Sequence, residues 1–287
     1  MPINPDAVGA TGAPFRHAWD ERDVILYALG VGAGAEDPLQ ELQFTTENSQ
    51  DTELTVLPTM AVVLGVGGAS AFGSIGTFNP AMLVHGEQAI TLHGTIPVKG
   101  EVETVGTITG IYDKGKGAVI EVTSTSTDVA TGQPLFTNVM SAFIRGEGGW
   151  GGDRGPSGPK NEAPEREPDH TRTYATRTDQ ALLYRLSGDR NPLHSDPAFA
   201  AFGGFDRPIL HGLCTYGFSG RALLHLLCGS DPSRFVAMEG RFSSPVLPGE
   251  ELTVEAWETG EGEAVFRTRG GDGRVVLDAG KLTYVAG

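Results

Sequence analysis

Apolar and polar residues alternate near the end of each half of the chain. The alternation is clearest from residue 118 to residue 144 and again from residue 264 to residue 284. Successive side chains of a strand point to opposite faces of a sheet, so this period of two predicts strands with one buried face. Turn-forming tetrapeptides, ATGQ at residues 130–133 and GDGR at residues 271–274, interrupt the two stretches. A short helix after acidic residues is predicted near the start of each half.

One apolar segment is long enough to form a buried helix. It runs from Gly212 to Cys228, and Gly229, a residue type that ends many helices, follows directly. A helix of this length between strand signals predicts the α+β class, with an antiparallel sheet wrapped around the helix. The alternative is a β-sandwich with incidental helices, which accounts less well for so long an apolar segment.

The two halves resemble diverged copies of one another. The segment ILYAL at residues 25–29 is similar to LLYRL at residues 182–186, and residues 97–101 are similar to residues 245–250. The strand-like stretches follow in the same order. Residues 146–169, between the halves, are rich in Gly and Pro and lack apolar periodicity, which is typical of a linker. We therefore predict two repeats, residues 1–145 and 170–287, joined by a linker at residues 146–169.

Composition narrows the class of protein. A chain of 287 residues exceeds the usual size of one core, which agrees with two domains. The net charge of -15 would repel nucleic acids and anionic membranes, so a phosphate-bearing ligand needs a local basic patch. Cys214 and Cys228 lie too far apart on one helix to form a disulfide. The sequence shows no signal-peptide pattern, no membrane-span pattern and no C-terminal Ser-Lys-Leu, so a cytoplasmic protein is expected.

The densest group of reactive side chains lies where a predicted helix gives way to a turn. Asp189, Asn191 and His194 stand within the run GDRNPLH at residues 188–194. The carboxylate can accept a proton from water, the imidazole can exchange a second proton near neutral pH, and the amide can orient both. An ordinary turn is the alternative, because Asp and Asn before Pro are common turn formers.

A second candidate feature precedes the long helix. The segment RPILHG at residues 207–212 leads directly into it, so the Gly212 amide is expected in the first turn. Amides of a first turn have no partner inside the helix, and they can stabilise a carbonyl oxygen that gains negative charge. Glycine lets a ligand approach the backbone closely. The alternative is that Gly212 only permits close packing.

The two features together resemble the signature of a known family. Residues 184–197 (YRLSGDRNPLHSDP) and 208–213 (PILHGL) are similar to the MaoC-like dehydratases, especially the (R)-specific type-2 enoyl-CoA hydratase domain of peroxisomal multifunctional enzymes. Residues 79–88 (NPAMLVHGEQ) and 112–117 (YDKGKG) of the first half also resemble this family. The resemblance implies two fused hotdog folds. It also implies reversible hydration of trans-2-enoyl-CoA to (3R)-3-hydroxyacyl-CoA without a metal or redox cofactor.

The resemblance further implies roles for single residues. Asp189 and His194 match the acid/base pair of the hydratase motif, and Asn191 matches its third polar residue. Gly212 matches the oxyanion donor. The substrate-binding positions of the family fall on His85, Gly86, Lys114, Arg190, Pro192, Leu193 and Phe242. Lys114 would also supply the local positive charge that an acidic chain needs for a phosphate-bearing ligand.

Alignment of the two repeats predicts one active site per chain. Gly32, Gly34 and Asp37 fall opposite the three polar residues of the hydratase motif, so the first half lacks the catalytic set. We expect this half to make room for the acyl chain and to contact CoA. Because glycines stand there in place of larger side chains, we hypothesise a preference for medium, long or bulky acyl groups.

Several alternatives remain at this stage. The same site could dehydrate a 3-hydroxyacyl thioester of polyketide, fatty-acid or steroid side-chain metabolism, on CoA or on a carrier protein. A hotdog thioesterase fits less well, because it would not need the GDRNPLH arrangement. From a different class, the chain could be a non-catalytic acyl-thioester binding protein. The remaining histidines show no metal-ligand spacing, and a homodimer is expected only from the family.

Overall fold

The computed structural model describes residues 3–158 and 160–287, and ten strands within these ranges form one antiparallel sheet. Strands with an apolar inner face and a polar outer face account for the alternation in the sequence. The strands are β1 (Phe15–Trp19), β2 (Leu83–Leu92), β3 (Gly100–Asp113), β4 (Gly117–Asp128), β5 (Pro134–Arg145), β6 (His170–Ala175), β7 (Phe235–Phe242), β8 (Glu251–Gly260), β9 (Glu263–Arg269) and β10 (Val275–Tyr284).

The described residues also form six α-helices and several 3₁₀ helices. The α-helices are α1 (Glu21–Gly30), α2 (Leu42–Thr45), α3 (Ala61–Leu64), α4 (Gln180–Tyr184), α5 (Pro197–Phe202) and α6 (Gly212–Leu227). The 3₁₀ helices are Pro5–Ala7, Pro58–Met60, Val66–Ser74, Pro80–Met82, Arg185–Ser187, Pro192–His194 and Pro232–Arg234. Among the described residues, no helix is long and apolar enough to cross a membrane.

The strand order shows the internal duplication. It runs β1-β3-β4-β5-β2-β7-β10-β9-β8-β6, so the second half repeats the first in mirrored order about the β2–β7 pair. These two central strands pair in antiparallel register, from Glu87 opposite Arg241 to Thr91 opposite Ala237. The equivalent helices also meet, because the ring of Tyr27 on α1 lies 6.1 Å from that of Tyr184 on α4. The two halves therefore share one sheet.

Helix α6 is the central helix of the second half. Twelve of its 16 residues are buried, and Cys228, which follows its last turn, is buried as well. A Cβ atom added to Gly217 would lie 2.4 Å from Val31, and one added to Gly220 would lie 2.3 Å from Thr59. Segments of the first half therefore cover the face of α6 that the sheet leaves open.

A buried ion pair fixes α6 to the first half. Arg221, only 2% exposed, donates to both carboxylate oxygens of Glu41 at 2.6 and 2.8 Å. His225, one turn further on, lies 2.7 Å from the same carboxylate. The Gly34 amide also donates to Glu41.

No helix as long as α6 is found in the described part of the first half. Its place is taken by α3 and the 3₁₀ helix Val66–Ser74, which lies against β3 and β4. A Cβ atom at Gly106 would be 2.1 Å from the Gly68 carbonyl oxygen, so backbone touches backbone here. The first repeat thus has short helices where the second has α6, since glycine-rich segments favour close approach over a long helix.

The segment between β5 and β6, described at residues 146–158 and 160–169, is fixed to the sheet. The Asp113 carboxylate accepts hydrogen bonds from the amides of Gly149 and Gly151, each at 2.7 Å. Both glycines have positive φ angles, which other residues adopt at a cost. Further along, Asn161 donates to Glu239 at 2.7 Å. The segment is therefore an ordered strap across the strands rather than a free linker.

Candidate active site

The loop after α4 positions two of the predicted catalytic residues. Asp189 accepts a hydrogen bond from the Asn191 amide at 3.2 Å, and Asn191 accepts one from the Leu193 amide at 3.0 Å. Asn191 thereby caps the 3₁₀ helix Pro192–His194. This bond engages the Asn191 Oδ1 with the backbone, and a part for its Nδ2 in orienting the other two groups stays a prediction.

His194 is buried at the end of this 3₁₀ helix. Its Nδ1 donates to the Ile209 carbonyl oxygen at 2.9 Å. Since a carbonyl only accepts, this bond places the proton on Nδ1 and leaves Nε2 as an acceptor. Burial lowers the pKa of His194, although the Ile209 carbonyl and the nearby Asp189 act in the opposite direction. The imidazole is therefore suited to act as a base at neutral pH.

His211, which was not among the predicted site residues, completes the group. Its ring stacks on His194 with centroids 3.8 Å apart and an interplanar angle of 29°. Burial and the neighbouring His194 lower the pKa of His211 to about 4. The only signal in the sequence was its place immediately before Gly212. No spacing rule connects it with the GDRNPLH run.

The first turn of α6 supplies amide donors next to these side chains. Its first intrahelical hydrogen bond runs from the Cys214 amide to the His211 carbonyl, so the Gly212 and Leu213 amides have no partner inside the helix. A Cβ atom at Gly212 would lie 3.2 Å from the ring of Phe242. Glycine therefore keeps space open between this helix terminus and β7.

The first half contributes His85 to the same place. Its ring lies 4.9 Å from the ring of Phe242, and its Nε2 donates to the Glu87 carbonyl at 3.1 Å across a β-bulge at Gly86. Burial lowers the pKa of His85 to about 4, with the Asp189 charge acting in the opposite direction. A neutral imidazole from β2 thus faces the catalytic loop of the other half.

A cavity of about 280 Å³ begins beside Asp189 and His85 and extends into the first half. His85, Gly188, Asp189, Arg190 and Leu213 line it at the catalytic end. At the other end its walls come from α3, the adjoining 3₁₀ helix and the inner faces of β2, β4 and β5. These walls include Val62, Val63, Gly65, Val66, Gly68, Ala69, Gln88, Val122, Ser124, Asn138 and Met140.

Of the predicted binding residues, His85 and Arg190 line this cavity, whereas Gly86, Lys114, Pro192, Leu193 and Phe242 do not. The predicted catalytic residues Asn191, His194 and Gly212 also lie outside its lining. Lys114 donates to the carbonyls of Arg154 and Pro156 in the strap. Pro192 begins the 3₁₀ helix that carries His194, and Leu193 lies beneath α5, where a Cβ atom at Gly203 would be 3.2 Å from it. Their roles in binding stay predictions.

Three potential metal ligands come together here. One carboxylate oxygen of Asp189 and one ring nitrogen each of His194 and His211 lie within 4.8 Å of one another. Because the two rings stack nearly face to face, their in-plane lone pairs do not converge on a common point. The arrangement suits proton transfer better than coordination of a shared ion.

Comparison with known proteins gives matches over nearly the whole chain. The family model described as the MaoC like domain matches residues 159–280, and the MFE-2 hydratase 2 N-terminal domain matches residues 17–146. The chain is 46% identical to 3-hydroxyacyl-thioester dehydratase Y of Mycobacterium tuberculosis, over 100% of both chains. It is 40% identical to the probable enoyl-CoA hydratase 2 of Dictyostelium discoideum, over 93% of this chain and 91% of the relative.

Solved structures agree with these matches. A MaoC-like dehydratase from Phytophthora capsici superposes with a TM-score of 0.88 at 32% identity, covering 99% of this chain and 98% of that chain. The full-length peroxisomal multifunctional enzyme type 2 of Drosophila melanogaster superposes with a TM-score of 0.82 at 36% identity, covering 96% of this chain and 48% of that chain. A Mycobacterium tuberculosis protein described as having a double hotdog fold superposes with a TM-score of 0.59 at 13% identity, over 96% of both chains. The predicted double-hotdog fold is confirmed.

Proposed function

Since the chain belongs to the family of MaoC-like dehydratases and type-2 enoyl-CoA hydratases, we propose that it adds water to trans-2-enoyl-CoA to form (3R)-3-hydroxyacyl-CoA, and catalyses the reverse dehydration. The observation that carries this proposal is the convergence of the Asp189 carboxylate and the His194 imidazole at the amide end of α6. Relatives named enoyl-CoA hydratase 2 and 3-hydroxyacyl-thioester dehydratase support it.

The chemistry assigns a task to each group. A thioester conjugated to a double bond is electrophilic at its β-carbon, and the first amides of α6 stabilise the negative charge that builds on the carbonyl oxygen as water adds. One proton leaves the water and one reaches the α-carbon. Asp189 and His194 handle these two protons as a coupled pair. The reaction transfers no electrons, so it requires no redox cofactor.

The acyl chain would occupy the cavity in the first half. Its walls carry valines, an alanine and a methionine beyond the catalytic end, and they have the glycine-rich segments in place of a full helix. This supports the hypothesis that medium, long or bulky acyl groups are preferred. Arg190 at the rim, and Lys114 on the β3–β4 turn, would contact the phosphates of CoA.

The experiment follows the loss of enoyl-thioester absorbance with crotonyl-CoA and trans-2-decenoyl-CoA, with chiral analysis of the product. We expect (R)-alcohol from the wild type and a loss of at least about 100-fold in Asp189→Asn and His194→Ala. His93→Gln, an exposed histidine away from the cavity, is the control and should behave as wild type. Saturable binding of CoA thioesters without turnover at any chain length would instead favour the binding-protein alternative.

A carrier-protein thioester is a second candidate substrate, which the 46% identical relative named 3-hydroxyacyl-thioester dehydratase Y favours. Comparing kcat/KM for a trans-2-decenoyl group on CoA and on an acyl carrier protein distinguishes the two. A role in β-oxidation, a homodimeric state and a cytoplasmic location are further parts of the proposal. Size measurement in solution and fractionation of cells would test the last two.

A further inference from the structure

The His211 side chain contacts each part of the proposed catalytic group. Its ring stacks on that of His194, with the centroids 3.8 Å apart. Its Nε2 donates to the main-chain carbonyl of Asp189 at 3.1 Å. In the sequence it immediately precedes Gly212 and is the N-cap residue of α6. One imidazole therefore connects the main chain of Asp189, the ring of His194 and the first turn of α6.

The surroundings of His211 leave it little freedom. The residue is 1% exposed, and its ring also lies 4.9 Å from the ring of Tyr184. Because the Asp189 carbonyl only accepts, the ring proton sits on Nε2, and Nδ1 is left without a proton. Among the described residues this buried Nδ1 has no hydrogen-bond partner.

A buried polar atom without a partner costs about 1 to 3 kcal/mol. A phenylalanine would fill the same stacked position without that cost. An imidazole has an N–H that a phenyl ring lacks, and this N–H holds the Asp189 main chain. The hydrogen bond therefore explains why a histidine stands at this position. A structural role in packing alone would not require it.

We propose that His211 is a positioning residue, which holds the Asp189 main chain and the His194 ring in fixed places relative to the amides of α6. This rests on the proposed hydratase reaction and adds a residue to it. Acid/base catalysis needs its groups placed to within a fraction of an ångström, and a misplacement of 1 Å can cost about 100-fold in rate.

Two substitutions separate the contributions of the ring. His211→Phe keeps a flat ring between His194 and Tyr184 and removes the N–H donor. His211→Gln removes the ring but carries an amide that can reach the Asp189 carbonyl. His93→Gln is the matched control, since that histidine is exposed and hydrogen-bonds Thr137 on β5. Circular dichroism and thermal unfolding show whether each variant is folded.

We expect His211→Phe to lower kcat for trans-2-decenoyl-CoA roughly 10- to 100-fold, with KM changed less than about threefold. His211→Gln should recover part of the lost kcat. Binding of decanoyl-CoA, which lacks the double bond and cannot react, should stay near the wild-type affinity in both. Unchanged kcat in both variants, or a parallel loss of kcat and decanoyl-CoA binding, would overturn the positioning role.

A second readout does not depend on turnover. The ¹⁵N chemical shifts of the His194 ring, measured at pH 7, should change in His211→Phe and stay constant in His93→Gln. If the wild type hydrates no enoyl thioester but these shifts change, the proposed function fails while the positioning of His194 by His211 stands. If the His194 signals are the same in His211→Phe as in the wild type, the inference is wrong even in an active enzyme.

Discussion

At the scale of single residues, the site concentrates neutral imidazoles around one carboxylate. Burial lowers the pKa of His85 and of His211 to about 4, and it also lowers the pKa of His194. In an unfolded chain a histidine titrates near pH 6.5. Between about pH 4 and 6.5 the unfolded state therefore binds protons that the folded state does not, so stability rises with pH across this window.

This difference in protonation predicts that acid destabilises the fold at pH values where the carboxylates are still charged. The free energy of unfolding should be lower at about pH 5 than at pH 7, because the unfolded histidines gain protons. Urea unfolding at the two pH values measures the difference. His211→Phe removes one of the three histidines and should show a smaller fall, whereas His93→Gln should not. An equal fall in the wild type and His211→Phe would mean that His211 does not contribute.

What the sequence predicted at this scale depended on local spacing. Asp189 and His194 lie five positions apart in one turn, and the structure places them together. His211 meets them from the start of α6, and His85 from a strand of the other repeat. Contacts between distant elements depend on how the strands are arranged, which no short motif specifies.

At the scale of elements, α6 depends on the ion pair that fixes it to the first half. Burial alone would raise the pKa of Glu41, but hydrogen bonds from His225 and Arg221 outweigh burial and lower it well below its usual range. Glu41→Gln would leave the Arg221 guanidinium buried without a counter-charge. Breaking such a pair typically costs about 3 to 5 kcal/mol.

The prediction is that Glu41→Gln lowers the unfolding midpoint strongly in urea, while the double variant Glu41→Leu with Arg221→Met is less destabilised. Replacing both charges removes the unpaired one. A double-mutant cycle by urea unfolding, with Glu41→Leu and Arg221→Met as the single variants, measures the coupling between the two residues. If the double variant were as unstable as the sum of its single variants, the two residues would not act as a pair.

The strap gives a second prediction at this scale. Hydrogen bonds from the Gly149 and Gly115 amides lower the pKa of Asp113 to about 2, so its carboxylate is charged at neutral pH. Asp113→Asn weakens these bonds and should speed protease cleavage within residues 146–158, with hydratase activity retained. Asp128→Asn, which alters a similar turn away from the strap, is the control. Equal cleavage rates in the two variants would contradict the anchoring.

The elements themselves were largely predictable, with two exceptions. The alternation of apolar and polar residues predicted the strands, and the apolar segment predicted α6 to within one residue of its observed end. Helix α1 was predicted, but the later short helices of the first half were not, because backbone contact at Gly68 and Gly106 replaces side-chain periodicity there. Composition identified the strap as a linker, but it could not show that Asp113 would fix it.

At the scale of the whole molecule, one half carries the proposed catalytic loop and the other supplies most of the cavity wall. Met140 on β5 lines that cavity and is partly buried. We expect Met140→Trp to lower kcat/KM for trans-2-decenoyl-CoA about tenfold more than for crotonyl-CoA, because the indole fills space that only the longer chain needs. Met140→Leu, nearly equal in volume, is the control. An equal loss at both chain lengths would place the acyl chain elsewhere.

The pairing of β2 with β7 also has a consequence for folding during synthesis. During synthesis the first half emerges before β7 exists, so β2 presents an open row of amides and carbonyls that another chain could pair with. The strap and α6 must follow before that row is covered. We therefore expect the first half, expressed alone, to aggregate, and the native protein to be reached only when both repeats close around the shared strands.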